Sequence, residues 1–304
     1  GKYLYRVRTV DYLNKERFSG EDNYSMSVAT KIGNGDLQFG SMNVLDKNKV
    51  VGYLSGNFEE KPAVLFSSVT NKNSKASLIE HLSNLTGVVG AKNSVLNIDL
   101  LSWTAGTTAN TEMKLAETYN FIAAKTGNGT IGALNYESGL TTKRLAVGSS
   151  TVGQDTAIIT FAKPFKDVPV VLASPHIYGT ATNAYPVSAR VFDVTNQGFK
   201  VKLMRQAVGP TGFRDCQVSY LAIDRGQAQD GNGHLVTVRD TTIAFSSTLT
   251  TTSVYYGDNA KLANPLFFGQ LQTMDKPVLA VLRQGATGAG DYYTRVRLQI
   301  DDTD

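Results

Sequence analysis

The sequence predicts an all-β protein made of tandem antiparallel β-sandwich domains of about 100 residues each. Short alternating apolar runs, separated by Gly, Asn, Asp and Thr, recur along most of the chain and are typical of strands joined by turns. Charged residues make up only 18% of the 304 residues, which favours strands over solvent-exposed helices. A set of three signals also recurs in the same order, which indicates repeated units.

The clearest strands lie at residues 157–161, 168–173, 189–194 and 199–203, where apolar residues alternate or run together. Asn196, Gln197 and Gly198 separate the last two of these strands, and such residues predict a hairpin turn. Residues 77–85 are the exception, because Leu78, Ile79, Leu82 and Leu85 follow a helical spacing that predicts one short helix or helical turn.

The internal repeat is marked by the tripeptide Gly-Asn-Gly at 33–35, 127–129 and 231–233, with spacings of 94 and 104 residues. Each copy follows a strand that opens with tyrosine and precedes a strand led by proline, where the missing N–H of proline costs little. The tyrosines are Tyr24, Tyr119 and Tyr220, and the prolines are Pro62, Pro169 and Pro277. Three coincident signals predict repeated sandwich units.

The two chain ends resemble each other, since Tyr3 and Arg6-Val7-Arg8 correspond to Tyr292 and Arg295-Val296-Arg297. We therefore predict two complete sandwich repeats, at residues 33–126 and 127–230. A third repeat is split, with its first half at 231–304 and its second half at 1–32.

Half a sandwich exposes an apolar face and unpaired strand edges, which proteins avoid. The halves can meet within one chain and close a ring, or between chains in a head-to-tail contact that forms a filament. The chain can also be a slice of a longer repeat protein, and the sequence leaves all three alternatives open. The expected assembly seam contains Tyr3, Arg6, Tyr24, Tyr292 and Arg295.

Residues 157–224 carry a family resemblance in four stretches: ITFAKPF, VPVV, ARVFDVTNQGFKVKL and VSYLAID. In this order they resemble the H-type lectin module, an antiparallel sandwich that often trimerises and binds galactose or N-acetylgalactosamine. The resemblance implies sugar contacts from Arg190 on a middle strand and from Tyr220 on the closing strand. Alternation along the strand predicts that Arg190 faces solvent if its neighbours face the core.

Motifs for catalysis, metals or cofactors are not found. His81, His176 and His234 lack the spacing of a zinc site, and Cys216 is the single cysteine. The net charge of +4 is dispersed along the chain, which does not indicate nucleic-acid binding. No apolar run approaches the roughly 18 residues needed to span a bilayer. We predict no catalytic residue, metal or cofactor.

These observations predict a non-enzymatic structural or adhesive protein at the cell surface or outside the cell. Its partner is itself, through head-to-tail completion of the split sandwich into a filament, sheath or appendage. The alternative is a carbohydrate-binding adhesin of the H-type lectin kind that recognises galactose or N-acetylgalactosamine on surface glycans.

Overall fold

A computed structural model describes residues 8–10, 16–18, 30–32, 36–44, 50–69, 77–83, 93–103, 117–142, 145–147, 156–177, 187–205, 214–243, 251–257, 262, 265–274, 280–284 and 292–300. All regular structure within these ranges is β-strand, so the predicted all-β class is confirmed. No helix in this part of the chain is long and apolar enough to cross a membrane.

The strands are short to medium in length, as their frequent turn residues predict. In chain order they are β1 (Arg8–Val10), β2 (Glu16–Phe18), β3 (Thr30–Ile32), β4 (Leu37–Val44), β5 (Val50–Phe58), β6 (Ala63–Ser68), β7 (Ser77–Ser83), β8 (Asn93–Trp103), β9 (Glu117–Ala124), β10 (Gly127–Ile131), β11 (Leu134–Leu140), β12 (Leu145–Val147), β13 (Thr156–Thr160), β14 (Val170–Ile177), β15 (Val187–Phe192), β16 (Gly198–Arg205), β17 (Arg214–Ile223), β18 (Gly226–Gln229), β19 (Leu235–Val238), β20 (Thr251–Tyr255), β21 (Ala280–Gln284) and β22 (Tyr293–Ile300).

Two large sheets organise these strands. One has the order β10-β11-β17-β14-β7-β8-β5, with β12 also paired to β17, and the other has the order β20-β22-β21-β6-β9-β4-β3. A smaller sheet has the order β13-β16-β15, and β1-β2 and β18-β19 form separate pairs. Most neighbours are antiparallel, whereas β14 meets β7 and β21 meets β6 in parallel.

Three groups of strands share one arrangement, in which a central strand pairs antiparallel with a neighbour on each side. We call them the N-terminal triplet (β4, β9, β6), the middle triplet (β11, β17, β14) and the C-terminal triplet (β20, β22, β21). Pro62 directly precedes β6 and Pro169 directly precedes β14, as predicted for proline-led strands. Pro277 lies outside the described residues.

The first two triplets also share their register. Ala63 opens β6 opposite Ala124, and Val170 opens β14 opposite Ile223. Three residues after each central strand ends come Gly127 and Gly226, with φ of 117° and 136°. Backbone angles in this region favour glycine, so the two glycines allow the same change of direction into the following hairpin.

The Gly-Asn-Gly tripeptides do not mark equivalent places. Residues 127–129 open β10, residues 231–233 lie in the turn between β18 and β19, and residues 33–35 lie outside the described ranges. The tripeptide serves as strand in one place and as turn in another because glycine and asparagine accept several backbone conformations. The predicted boundaries 1–32, 33–126, 127–230 and 231–304 remain a prediction.

The helix predicted at residues 77–85 is wrong. Residues 77–83 form β7, which pairs with β8 from Ser77 opposite Trp103 to His81 opposite Asp99. A nine-residue helix has little stability of its own, whereas β8 offers an eleven-residue partner for backbone hydrogen bonds. Tertiary pairing therefore overrides the local spacing.

The strands predicted between residues 157 and 224 are confirmed as β13 to β17, with small shifts at their ends. The predicted turn is confirmed as well, since the Thr195 N–H donates to the Gly198 carbonyl at 2.8 Å. The sheet β13-β16-β15 packs on β14 and β17 through a buried cluster that includes Phe161, Phe165 and Phe199. The Phe161 and Phe165 rings meet edge to face, with centroids 4.9 Å apart.

A second core joins the N-terminal and middle triplets. Strand β17 alternates between the two cores, because Val218, Tyr220 and Ala222 face the sandwich while Leu221 and Ile223 face this second cluster. Residues of β4, β6, β9, β10, β11, β18 and β19 complete the second cluster. A strand buried on both faces explains why the closing stretch VSYLAI is nearly continuous in apolar residues.

Candidate functional site

Arg190 lies in the middle of β15 and is only 4% exposed, so the prediction that it faces solvent is wrong. Val191 beside it points into the sandwich core and is fully buried. Arg190 points the other way, as strand alternation requires, but a later part of the chain covers it. Burial lowers the pKa of its guanidinium.

That covering part is residues 265–274, which we call the strap. It runs without regular secondary structure. Arg190 Nη1 donates to the Thr273 carbonyl at 3.1 Å, and Asn120 Nδ2 on β9 donates to the Phe267 carbonyl at 3.1 Å. The strap is therefore bonded both to β15 and to the N-terminal triplet.

Two glutamines of the strap bond the backbone of the sandwich. Gln272 Oε1 accepts from the Val171 N–H at 2.6 Å, and Gln270 Oε1 accepts from the Ala173 N–H at 3.3 Å. Gln270 Nε2 also donates to the Ala189 carbonyl at 2.8 Å. Gln270 thus bridges β14 and β15, which belong to the two facing sheets, and the strap closes the sandwich along this side.

Tyr220 lies on β17 inside the sandwich and is 8% exposed. Its ring packs against Phe199, with centroids 5.3 Å apart. Its hydroxyl donates to Glu137 Oε1 at 3.1 Å, while Glu137 Oε2 accepts from the Ala162 N–H at 2.8 Å. Burial, and then the charge and hydrogen bond of Glu137, raise the pKa of Tyr220. Arg190 and Tyr220 are thus both enclosed by protein.

The expected seam residues are placed only in part. Tyr292 is 51% exposed, and Arg295 on β22 lies over the Tyr293 ring with its Cζ 5.9 Å from the centroid. Tyr3, Arg6 and Tyr24 lie outside the described residues, so their part in a seam stays a prediction.

A cavity of about 510 Å³ opens between the three triplets, within the size range of small-molecule sites. Its interior is mainly apolar, with Ile131, Leu172 and Leu221 among the lining residues. Three of its lining residues, Leu235, Tyr255 and Leu266, are large and exposed. Sequence analysis missed the cavity because its lining comes from strands more than 100 residues apart.

His234 stands at the rim of this cavity. Its Nδ1 lies 3.0 Å from Asp230 Oδ2, and the other carboxylate oxygen of Asp230 accepts from the N–H groups of Asn232 and His234 at 2.9 and 2.7 Å. The Asp230 side chain is fully buried. The third Gly-Asn-Gly copy therefore forms a turn around Asp230 that orients the His234 ring.

The other histidines and the cysteine lie on three adjacent strands, since β14 pairs with both β7 and β17. His81 and His176 lie on β7 and β14, and Cys216 lies on β17. Among the side chains that the structure describes, no group of three or more His, Cys, Asp or Glu is placed to hold a metal ion.

The comparison with protein families finds that residues 156–223 match the model of the H-type lectin domain. Residues 156–223 form an H-type lectin-like module. The match spans β13 to β17 and confirms the resemblance predicted from the sequence. Comparisons with curated proteins and with solved structures find no significant match.

The H-type lectin-like module indicates a lectin-like or adhesive role for the chain. Domains of this family are generally binding modules without enzymatic activity, and they are typically found outside the cell or at its surface. The module contains Arg190 and Tyr220, but it extends in space beyond its own sequence, because Glu137 and the strap complete its hydrogen bonds.

Proposed function

We propose that this chain is a non-enzymatic, extracellular or cell-surface adhesin that recognises glycans of the galactose or N-acetylgalactosamine type. The observation that carries the proposal is the family match at residues 156–223. The intact sandwich core of the module supports it, since a packed core is what holds binding residues in place.

In this proposal Arg190 and Tyr220 stabilise the module and do not contact the sugar. Both side chains are buried and bonded to other parts of the chain, so a sugar in solution meets neither of them directly. We propose that they fix the module against the strap and against β11, and that exposed groups elsewhere contact the glycan.

Glycan binding is tested with the full chain on an immobilised glycan array, followed by calorimetry with N-acetylgalactosamine and methyl β-galactoside. We expect binding of galactose-configured glycans and none of methyl β-glucoside, with no release of p-nitrophenol from p-nitrophenyl β-galactoside. Absence of all binding at millimolar ligand would overturn the proposal, and release of p-nitrophenol would overturn its non-enzymatic part.

We also propose, as a second function, head-to-tail assembly through the chain ends. Within the described residues β20 is an outer strand of the seven-stranded sheet and is paired on one side only, with β22. Such edges accept added strands from another chain. The split-repeat prediction supplies the occupant, namely residues 1–32 of a neighbouring molecule.

Assembly is tested by light scattering of the full chain across a hundredfold dilution, beside a variant that lacks residues 1–32. We expect concentration-dependent association of the full chain and its loss in the deleted variant. A monomer at every concentration, or an unchanged particle after the deletion, would refute this second function.

A further inference from the structure

We propose that the outer face of β20 and β22 binds an acidic glycan, which is a saccharide that carries a sulfate or carboxylate group. This inference rests on the proposed glycan binding and adds to it a site and a ligand class. The outer face consists of Ser253, Tyr255, Tyr293, Arg295 and Arg297, which register and strand alternation place on one side of the pair. It lies outside the H-type lectin-like module, which ends at residue 223.

The two faces of this strand pair differ in exposure. Thr294 and Val296 point inward and are buried. On the outer face Tyr255 is 64% exposed, and Ser253 two positions before it is exposed as well. Tyrosine is enriched where proteins recognise other molecules, because it combines an apolar ring with a polar hydroxyl.

The two tyrosines form an aromatic surface on this face. Tyr255 and Tyr293 are direct cross-strand partners, and their ring centroids lie 5.7 Å apart with planes inclined at 54°. Contact across the strands holds the two rings in place. A pyranose ring presents a face of C–H groups that packs against an aromatic ring, so the outer face offers the contact that a sugar requires.

Two arginines continue the outer face along β22. The Cζ atom of Arg295 lies 5.9 Å from the centroid of the Tyr293 ring, which holds its charge beside the aromatic surface. Arg297 is half-buried and makes no ion pair with a described residue, and its Nε has no hydrogen-bond partner there. A partly desolvated guanidinium without a counter-ion gains from pairing with a carboxylate or sulfate.

Charge and spacing favour a ligand that combines a sugar with an anion. Neither β20 nor β22 contains an aspartate or glutamate, so the charge of these two strands is positive. Residues two positions apart on a strand are separated by roughly 6.6 Å, which is about the width of a sugar with its substituent. A pyranose ring on Tyr255 and Tyr293 therefore brings an acidic substituent close to Arg295.

The test compares galactose, galactose 6-sulfate and galacturonic acid by calorimetry with the full chain. The two acidic sugars distinguish sulfate from carboxylate, and at least one should bind about tenfold more tightly than galactose. This preference should shrink as sodium chloride rises from about 0.05 M to about 0.5 M, because salt screens the arginines. Inorganic sulfate, which has no ring to pack on the tyrosines, should bind much more weakly than the sulfated sugar.

Variants of the outer face test where the sugar lies. Arg297→Gln removes a positive charge, and Ser253→Glu adds a negative one at an exposed position where folding is least at risk. Both should abolish the preference for the acidic sugar and leave galactose binding within about twofold.

Tyr255→Ala should weaken neutral and acidic sugars alike by up to about tenfold, whereas Tyr255→Phe should retain most of the affinity. Arg239→Gln is the matched control, because it removes the same charge from an exposed arginine outside the outer face, and it should change nothing.

The outcomes separate the two proposals. Equal affinity for neutral and acidic sugars, or an acidic preference that survives in both Arg297→Gln and Ser253→Glu, overturns this site and leaves glycan recognition standing. Binding of inorganic sulfate, or of a short single-stranded oligonucleotide, as tightly as the acidic sugar also overturns it. Failure of the unaltered chain to bind any of the three sugars at millimolar concentration overturns both proposals together. In that case, self-association that Tyr255→Ala abolishes would assign the outer face to a second copy of the chain.

Discussion

The N-terminal and middle triplets solve the same structural problem with different side chains. Along β6 the N–H groups of Val64 and Phe66 donate to the hydroxyls of Ser219 and Ser174, at 3.0 and 3.1 Å. Along β14 the N–H groups of Val171 and Ala173 donate instead to the two strap glutamines. The shared register makes these pairs of N–H groups equivalent.

The choice of serine at β6 and of glutamine at β14 follows from the part of the chain that packs against each strand. Strands β14 and β17 bring short serine side chains close to β6, and Ser219 is fully buried there. The strap is irregular and half-exposed, so longer glutamine side chains are needed to reach β14. The comparison teaches that a buried backbone N–H fixes the position of its acceptor but not the residue type that supplies it.

A second equivalence pairs a glycine with an aromatic ring. Gly40 lies opposite Phe121 in the N-terminal triplet, and Gly139 lies opposite Tyr220 in the middle triplet. The residue two positions before each glycine also differs between the triplets. It is Gln38 in the N-terminal triplet and Glu137 in the middle triplet, and both are buried. Of these two rings only that of Tyr220 carries a hydroxyl, and Glu137 accepts its hydrogen bond.

The largest effect is expected from adding a methyl group at either glycine. A Cβ at Gly40 would lie 2.5 Å from Phe121 Cε1, and one at Gly139 would lie 2.7 Å from the Tyr220 hydroxyl oxygen. Gly40→Ala and Gly139→Ala should each lower the free energy of unfolding by about 1–3 kcal/mol, measured by urea denaturation. Gly231→Ala is the control, since a Cβ added there would have no atom within 4 Å apart from its chain neighbours. A loss at only one glycine would contradict the equivalence.

A smaller effect is expected from removing an acceptor at the two edges. Ser219→Ala removes the hydroxyl that accepts from the buried Val64 N–H and should cost up to about 2 kcal/mol. Gln272→Ala removes the acceptor of the Val171 N–H but should cost only about 1 kcal/mol, because water can reach the half-exposed strap. The same urea measurement serves, with exposed Gln227→Ala as a control expected to stay within about 0.5 kcal/mol. Equal losses, or a greater loss for Gln272→Ala, would mean that the strap edge is as closed as the serine edge.

The smallest effect is a dependence of stability on pH that appears only in the alkaline range. It comes from the phenols of Tyr220 and Tyr136. Burial raises the pKa of both phenols above that of the unfolded chain, and the charge of Asp36 helps to raise that of Tyr136 to about 12. The neutral phenols therefore stabilise the fold fully below about pH 10, and this contribution is lost as pH rises toward 12. Unfolding free energies at about pH 9, 10 and 11 should fall, and Tyr220→Phe should reduce the slope. An unchanged slope would show that Tyr220 does not take part.

Much of the module could be predicted from the sequence because its signals are local. Strands β13 to β17 and the turn before Gly198 follow from alternation and turn residues, and the residue order carried the family resemblance. The error at residues 77–83 has a physical cause, since a short apolar run suits helix or strand and β8 decided between them.

The candidate site was less accessible to sequence analysis. Whether Arg190 faces water depends on Thr273, which lies 83 positions away, and no periodic pattern marks the strap. The cavity combines residues from Phe39 to Thr294, so it exists only once the triplets pack. The turn at residues 231–233 was noticed for its repetition, but its role in orienting His234 needed the position of Asp230.

The strap has a practical consequence for anyone who wishes to produce the lectin-like region by itself. A fragment cut at the family boundaries 156 and 223 would lack Thr273, Gln270 and Gln272. Its Arg190 would lose a carbonyl acceptor. Two backbone N–H groups of β14 would lose their acceptors and leave an uncovered edge that promotes aggregation. Recombinant pieces intended for binding studies should therefore extend through residue 274.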